Sequence, residues 1–285
     1  MSGDTGQISA QNKLPLQSTR FVGREEEIRE VTDLLCDVEC QLLTLVGPGG
    51  IGKTRLGIEV AQRLLSEFPD GAYVVSLSPF ETVDHIITAI ARAINFEFHG
   101  KRGLSQQLLR FLQDKQMLLI LDSFEHLLDA TEPVINIVGA APKMTILVTS
   151  REALNLRSEW VYQVTGMRFP DEADSVEANL DDYGAVQLFA QHARRVQQTF
   201  SMEESCACVV QICRLVEGLP LGIELAAGWL RSLSCDDIAS EIRRNKDFLA
   251  TDQPDVSERH RSIRAVFRQS WDMLSSEEQS VYSKL

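Results

Sequence analysis

The stretch Leu42-Leu43-Thr44-Leu45-Val46-Gly47-Pro48-Gly49-Gly50-Ile51-Gly52-Lys53-Thr54 runs from an apolar segment through a glycine-rich loop into a helical pattern that opens at Lys53. A loop of this composition lets successive N–H groups, and the N-terminus of the following helix, turn towards one anion, because glycine tolerates backbone conformations that a side chain forbids. These residue types define a phosphate-binding P-loop. Gly47, Pro48, Gly49, Gly50, Ile51 and Gly52 would surround the phosphates, Lys53 would reach the β- and γ-phosphates, and the Thr54 hydroxyl would ligate Mg²⁺. Arg55, the next residue, is a further candidate for the phosphates. Every fixed position of the pattern stands in the strand, loop and helix order that the mechanism needs.

A P-loop needs a partner carboxylate for its metal. Met117-Leu118-Leu119-Ile120-Leu121-Asp122 is an uninterrupted apolar run closed by an acid, suited to a strand buried on both faces of a parallel sheet. Asp122 would hold Mg²⁺ through the ion's water shell, the Walker B role. The next residue is Ser123, where a second acid would polarise an attacking water. Glu125 is the nearest replacement, and it reads equally well as a charge opening the following helix. Thr145-Ile146-Leu147-Val148-Thr149 is a further strand pattern, followed by Ser150-Arg151. Arg151 would reach the γ-phosphate if that strand lies between the P-loop strand and the Asp122 strand, where a cation has a direct electrostatic use.

The 285 residues, 44% apolar and 24% charged, suit a globular chain of one large or two smaller domains, and two is the preferred reading. Lys and Arg total 28 against 41 Asp and Glu, and the net charge of −13 disfavours non-specific attraction to nucleic acid or an anionic membrane. No apolar run reaches the length of a bilayer span and the N-terminus lacks a signal-peptide layout, so the expected location is the cytoplasm. Cys36, Cys40, Cys206, Cys208, Cys213 and Cys235 include no Cys-x-x-Cys pair and read as buried free thiols. Asn12-Lys13-Leu14-Pro15 and Asn245-Lys246-Asp247 stand in the wrong places to read guanine, so adenine is the expected base.

Residues 1–18 are polar and without periodicity, and read as a mobile tail. Ile28, Val31, Leu34 and Leu35 then follow helical spacing, and strand patterns at Leu42 to Val46, Ala72 to Leu77, Leu118 to Asp122, Thr145 to Thr149 and Trp160 to Val164 alternate with helices. The P-loop helix is expected from Lys53 to about Glu67. That alternation predicts an α/β fold with a five-stranded parallel sheet over residues 19–170, ended by an acidic linker at 171–182. Only helical patterns follow in residues 183–256, a small α-helical domain whose third helix opens at Leu219-Pro220, where proline is tolerated in a first turn. Arg259, Arg261, Arg264 and Arg268 give a later helix a basic face, read as solvated or as a contact with the acidic nucleotide domain rather than as a DNA reader. The last pattern stops at Leu285 after barely two turns, which suggests a fragment.

Five separated motifs occur in one order: Phe21-Val22-Gly23-Arg24-Glu25, the P-loop, Leu119-Ile120-Leu121-Asp122 with Glu125-His126, Leu147-Val148-Thr149-Ser150-Arg151, and Gly218-Leu219-Pro220-Leu221. On these residues the chain resembles the STAND signal-transduction ATPases, in particular bacterial regulators related to MalT, AfsR and the large LuxR-type proteins, and more distantly the NB-ARC proteins. The resemblance covers about residues 20–285. It implies a P-loop NTPase sheet of strand order 5-1-4-3-2, a small helical domain, and the start of a winged helix at 257–285. It also implies that Phe21, Val22, Gly23 and Arg24, together with Leu219 and Pro220, border the adenine and ribose, and that Arg151 is the sensor arginine. In such proteins ADP holds the domains closed, and exchange for ATP opens them for self-association.

The expected function is therefore an ATP/ADP-binding regulatory switch with Mg²⁺ and slow hydrolysis, catalysed by Lys53, Asp122, Glu125 and Arg151. The alternative is a dedicated ATP-consuming enzyme, such as a AAA-like ATPase or a kinase. Sensor and effector domains would lie outside this chain, no membrane is involved, and DNA would be met only through those absent domains.

Overall fold

The computed structural model describes residues 14–17, 19–78, 83–100, 103–171, 180–245, 248–251, 261–264, 271 and 279. Its strands are β1 (Leu42–Val46), β2 (Ala72–Ser76), β3 (Leu118–Asp122), β4 (Thr145–Ser150) and β5 (Glu159–Gln163). Its helices are α1 (Glu25–Cys36), α2 (Lys53–Arg63), α3 (Val83–Ala93), α4 (Leu104–Leu112), α5 (Glu132–Ala140), α6 (Gly184–Val196), α7 (Met202–Leu215), α8 (Pro220–Gly228) and α9 (Cys235–Arg244). The described residues divide into two compact units. The first takes those of Met1–Arg20, Glu26–Gly47 and Lys53–Val164, and the second those of Phe21–Glu25, Pro48–Gly52 and Thr165–Leu285.

In the first unit five parallel strands form one sheet in the order β2-β3-β4-β1-β5, the expected order read from its other edge. β1 and β3 are buried along their whole length, which is why their sequences, Thr44 and Asp122 apart, are apolar without alternation. Successive side chains point to opposite faces. Leu42, Leu119, Leu121, Ile146 and Val148 pack with α3, α4 and α5 on one face. Leu45 and Leu147 meet α2 at Gly57 on the other, where an added Cβ would lie 3.1 Å from Leu147 Cδ2. Each buried Leu, Ile or Val of this double layer contributes roughly 1.5–3 kcal/mol. α2 ends at Arg63, and a single 3-10 turn at Leu65–Glu67 replaces the last turn expected from the sequence.

The second unit holds α6 to α9 around Phe189, Val209, Ile212, Ile223, Ala226 and Ile238. Ser201 and Ser234 cap α7 and α9 by accepting the N–H groups of Glu204 and Asp237. Leu219 is the N-cap residue of α8 and Pro220 its first residue, so proline occupies a position whose N–H has no helical partner to lose. Met167 lies in this second unit, buried in the helical core, and its N–H donates to Gly218 O at 2.8 Å.

The expectation of free thiols is corrected at two positions. Cys208 on α7 and Cys235 at the start of α9 are joined in a disulfide, with Cα atoms 6.0 Å apart, because α7 and α9 pack side by side. Cys36 is exposed and Cys206 half-buried, while Cys40 and Cys213 are the buried thiols that the composition suggested. Burial pushes Cys40 up to about 11 and Cys213 up to about 12, as expected for inert core thiols. Most of the 1–18 tail, of the 171–182 segment and of the 257–285 region, with Arg259 and Arg268, lies outside the described residues.

Candidate functional site

In the first unit, β1 delivers Gly47 and α2 opens with Lys53 and Thr54. Lys53 Nζ donates to Gly47 O at 2.7 Å. Burial pushes the Lys53 ammonium down to about 8; Glu125 works against that shift, Arg151 adds to it, and Asp122 again opposes it. Two cations and two carboxylates thus share one electrostatic cluster at the start of α2.

Thr54 donates its hydroxyl to Asp122 Oδ1. Thr149 Oγ1 donates to the same oxygen at 2.8 Å and accepts the N–H of Ser123 at 3.0 Å. Ser123 has φ +65°, and the Phe124 N–H returns to Thr149 O at 2.9 Å, so the turn after β3 is fastened to Thr149 by three bonds. Asp122 and Thr149 are both buried, which makes each of these bonds costly to leave unmade. A hydroxyl and a carboxylate in mutual reach are hard oxygen donors, the set that binds Mg²⁺ together with substrate phosphates. Thr54 and Asp122 therefore fit that ion, which would neutralise phosphate charge there.

Thr149 was not among the residues singled out from the sequence. A hydroxyl two positions before Arg151 at a strand end was the available signal, but its partner follows only from the β3 and β4 pairing. Thr149→Val should raise the Mg²⁺ concentration needed for half-maximal nucleotide binding by about tenfold, the scale for losing an outer partner of a metal ligand, and Thr149→Ser should restore it. A magnesium titration of nucleotide affinity checks both.

β4 lies between β1 and β3, the condition attached to Arg151. Arg151 Nε is 3.6 Å from Glu125 Oε1, with side chains 9% and 12% exposed. Arg55 Nη2 donates to Thr19 Oγ1 at 2.6 Å and to Thr19 O at 3.2 Å, tying the segment before Phe21 to α2.

In the second unit, Pro48–Gly52 is held by its carbonyls. Gly50 O accepts the N–H of Leu221 at 3.3 Å, and Ile51 O accepts Arg24 Nη2 at 2.9 Å. The same Nη2 donates to Thr165 O at 2.8 Å, and the Arg24 residue is only 6% exposed. Gly50 has φ +75° and an added Cβ would lie 2.9 Å from Leu221 Cβ, so this position requires glycine twice over. Pro220 Cγ lies 3.9 Å from where a Gly52 Cβ would stand. Gly23 meets Gly184, Val22 packs on the helical core, and Phe21 is half-buried. The Arg24 guanidinium thus bonds one carbonyl of the loop and one of the segment after β5.

The NB-ARC domain family matches residues 24–159. An uncharacterized Mycobacterium tuberculosis protein is 30% identical over 280 residues, which cover 98% of this chain and 68% of that protein. This chain belongs to the NB-ARC family. It is the nucleotide-binding core of a STAND-class P-loop NTPase. A second M. tuberculosis protein, assigned by its name to the HTH-type transcriptional regulators, is 36% identical over 247 residues, 86% of this chain and 26% of that protein. The NB-ARC chain thus spans about a quarter of that relative's length. The crystal structure of a STAND protein with a tetratricopeptide repeat sensor from Pyrococcus horikoshii superposes with a TM-score of 0.50 at 15% identity, covering 95% of this chain and 35% of that one. At that identity the likeness concerns the fold.

Proposed function

We propose that this NB-ARC chain is a regulatory switch operated by exchange of ADP for ATP with Mg²⁺, and that slow hydrolysis resets it. The observation that supports the reading is the cluster at the start of α2, where buried Lys53 donates to Gly47 O and the Thr54 hydroxyl donates to Asp122. Lys53 and the Thr54–Asp122 pair are the groups that meet a phosphate chain and its Mg²⁺ in this reading. A ligand shifts a conformational equilibrium only through unequal interactions with its two states, and the γ-phosphate met by Lys53 and Arg151 is the group that distinguishes ATP from ADP.

In this reading Lys53 and Arg151 meet the phosphates, Thr54 and Asp122 hold Mg²⁺, and Glu125 orients the attacking water. Phe21 to Arg24 with Leu219 and Pro220 border the adenine and ribose. Ser123 in place of a second acid suits slow turnover. Self-association in the ATP state, a cytoplasmic location, and sensor and effector domains beyond this chain complete the proposal, with DNA contacted only through such domains. Denaturing the purified protein should release ADP in near-stoichiometric amount. Empty protein combined with sustained turnover of roughly 1 to 10³ per second would instead favour a dedicated ATP-consuming enzyme.

A further inference from the structure

The turn after β3 places Glu125 against Arg151 with little freedom. Phe124 is fully buried, its N–H is bound to Thr149 O, and its own carbonyl accepts the Leu127 N–H at 2.8 Å. Glu125 is carried between these fixed points. Arg151 comes from the end of β4, two residues beyond Thr149. Both side chains are about nine-tenths buried, so neither charge can lose its partner without another replacing it. Both charges also act electrostatically on Lys53.

We propose that the Glu125–Arg151 ion pair is a latch on hydrolysis that the third phosphate of the nucleotide opens. The proposal rests on the nucleotide-switch reading and names how its chemistry is gated. With no nucleotide or with ADP, Arg151 neutralises Glu125, and the carboxylate is occupied. A γ-phosphate offers the guanidinium a stronger, charge-assisted partner. Arg151 turns to it, and Glu125 becomes available to an attacking water. The water oxygen then bonds to the γ-phosphorus as its proton passes to the Glu125 carboxylate. The bond from phosphorus to the β–γ bridging oxygen breaks, its electron pair stays on ADP, and the proton leaves Glu125 for solvent.

The latch makes ATP pay to separate the pair, so removing Glu125 should favour ATP over ADP. The test measures affinities for ADP and for a non-hydrolysable ATP analogue, both with Mg²⁺, in the wild type, Glu125→Gln, Arg151→Met and the double variant. The analogue-to-ADP affinity ratio should rise about tenfold in Glu125→Gln, the scale of the coupling between two charges in contact, and fall in Arg151→Met. In the double variant the gain from Glu125→Gln should vanish, because it acts only through Arg151. Single-turnover hydrolysis by Glu125→Gln should drop at least about a hundredfold, as for loss of a general base. Glu125→Asp, which keeps the charge, should retain the wild-type ratio, and covers the case in which Glu125→Gln fails to fold. A ratio unmoved by Glu125→Gln, or moved equally when Arg151 is absent, overturns the latch. Failure of the wild type to bind either nucleotide overturns the switch reading itself.

Discussion

Lys53→Ala is expected to lower nucleotide affinity by about two orders of magnitude while the chain stays folded. The loss follows from removing one charge-assisted contact to phosphate, about 3 kcal/mol. The retained fold follows from the cost of the lysine itself. Its ammonium is largely buried and held down to about 8, so the folded protein carries an unfavourable charge that alanine removes. Calorimetric titration with ADP measures the first effect and thermal denaturation without nucleotide the second. An alanine variant that binds ADP as the wild type does would end the assignment of this loop.

The same lysine gives the binding a pH dependence of definite sign. In the free protein it loses its proton near pH 8, and bound phosphate raises that point. The complex therefore holds a proton that the free protein has released. Affinity should be level below about pH 8 and fall above it, by up to tenfold per pH unit, and Lys53→Ala should abolish the slope. Folding shows the opposite trend. Because the folded value lies below the ordinary 10.5, this group's penalty is complete below pH 8 and is relieved between about 8 and 10.5.

Gly218→Ala should be the most damaging single methyl addition in the helical unit. Gly218 has φ +66°, which costs an alanine about 1 kcal/mol or more, and its added Cβ would lie 2.2 Å from Met167 O and 2.9 Å from Met167 N. These neighbours are backbone and cannot swing aside. The Gly218 carbonyl also accepts the Met167 N–H, and its own N–H donates to Cys213 O at 2.9 Å, so moving the residue breaks the C-terminal closure of α7. A loss of about 3 kcal/mol or more is expected, read as a lowered melting temperature by circular dichroism. Nucleotide affinity should fall with it, since Leu221, three residues on, holds Gly50 O. Gly228→Ala in α8, with nothing within 4 Å of its added Cβ, should be neutral or slightly stabilising.

Much of this molecule is legible in its residue order because the relevant physics is local. Strand-length segments alternating with helical spacings, two of them the apolar runs at Leu42 to Val46 and Leu118 to Leu121, already point to a parallel sheet covered on both faces. The sequence from Gly47 to Thr54 requires a backbone that turns its N–H groups to one side. Strand-end Asp122 and the Leu219-Pro220 helix start follow from the same local rules. The partners of those groups do not. Arg24 reaches Thr165 O, 141 residues away; Thr149 lies under Asp122 only because β4 pairs with β3; Glu125 finds Arg151 only after the turn is fastened; and Cys208 meets Cys235 only because α7 packs on α9. Periodicity encodes which face of an element is buried. Which side chain stands opposite depends on register, rotamer and packing across the core, and those exist only once the chain has closed on itself.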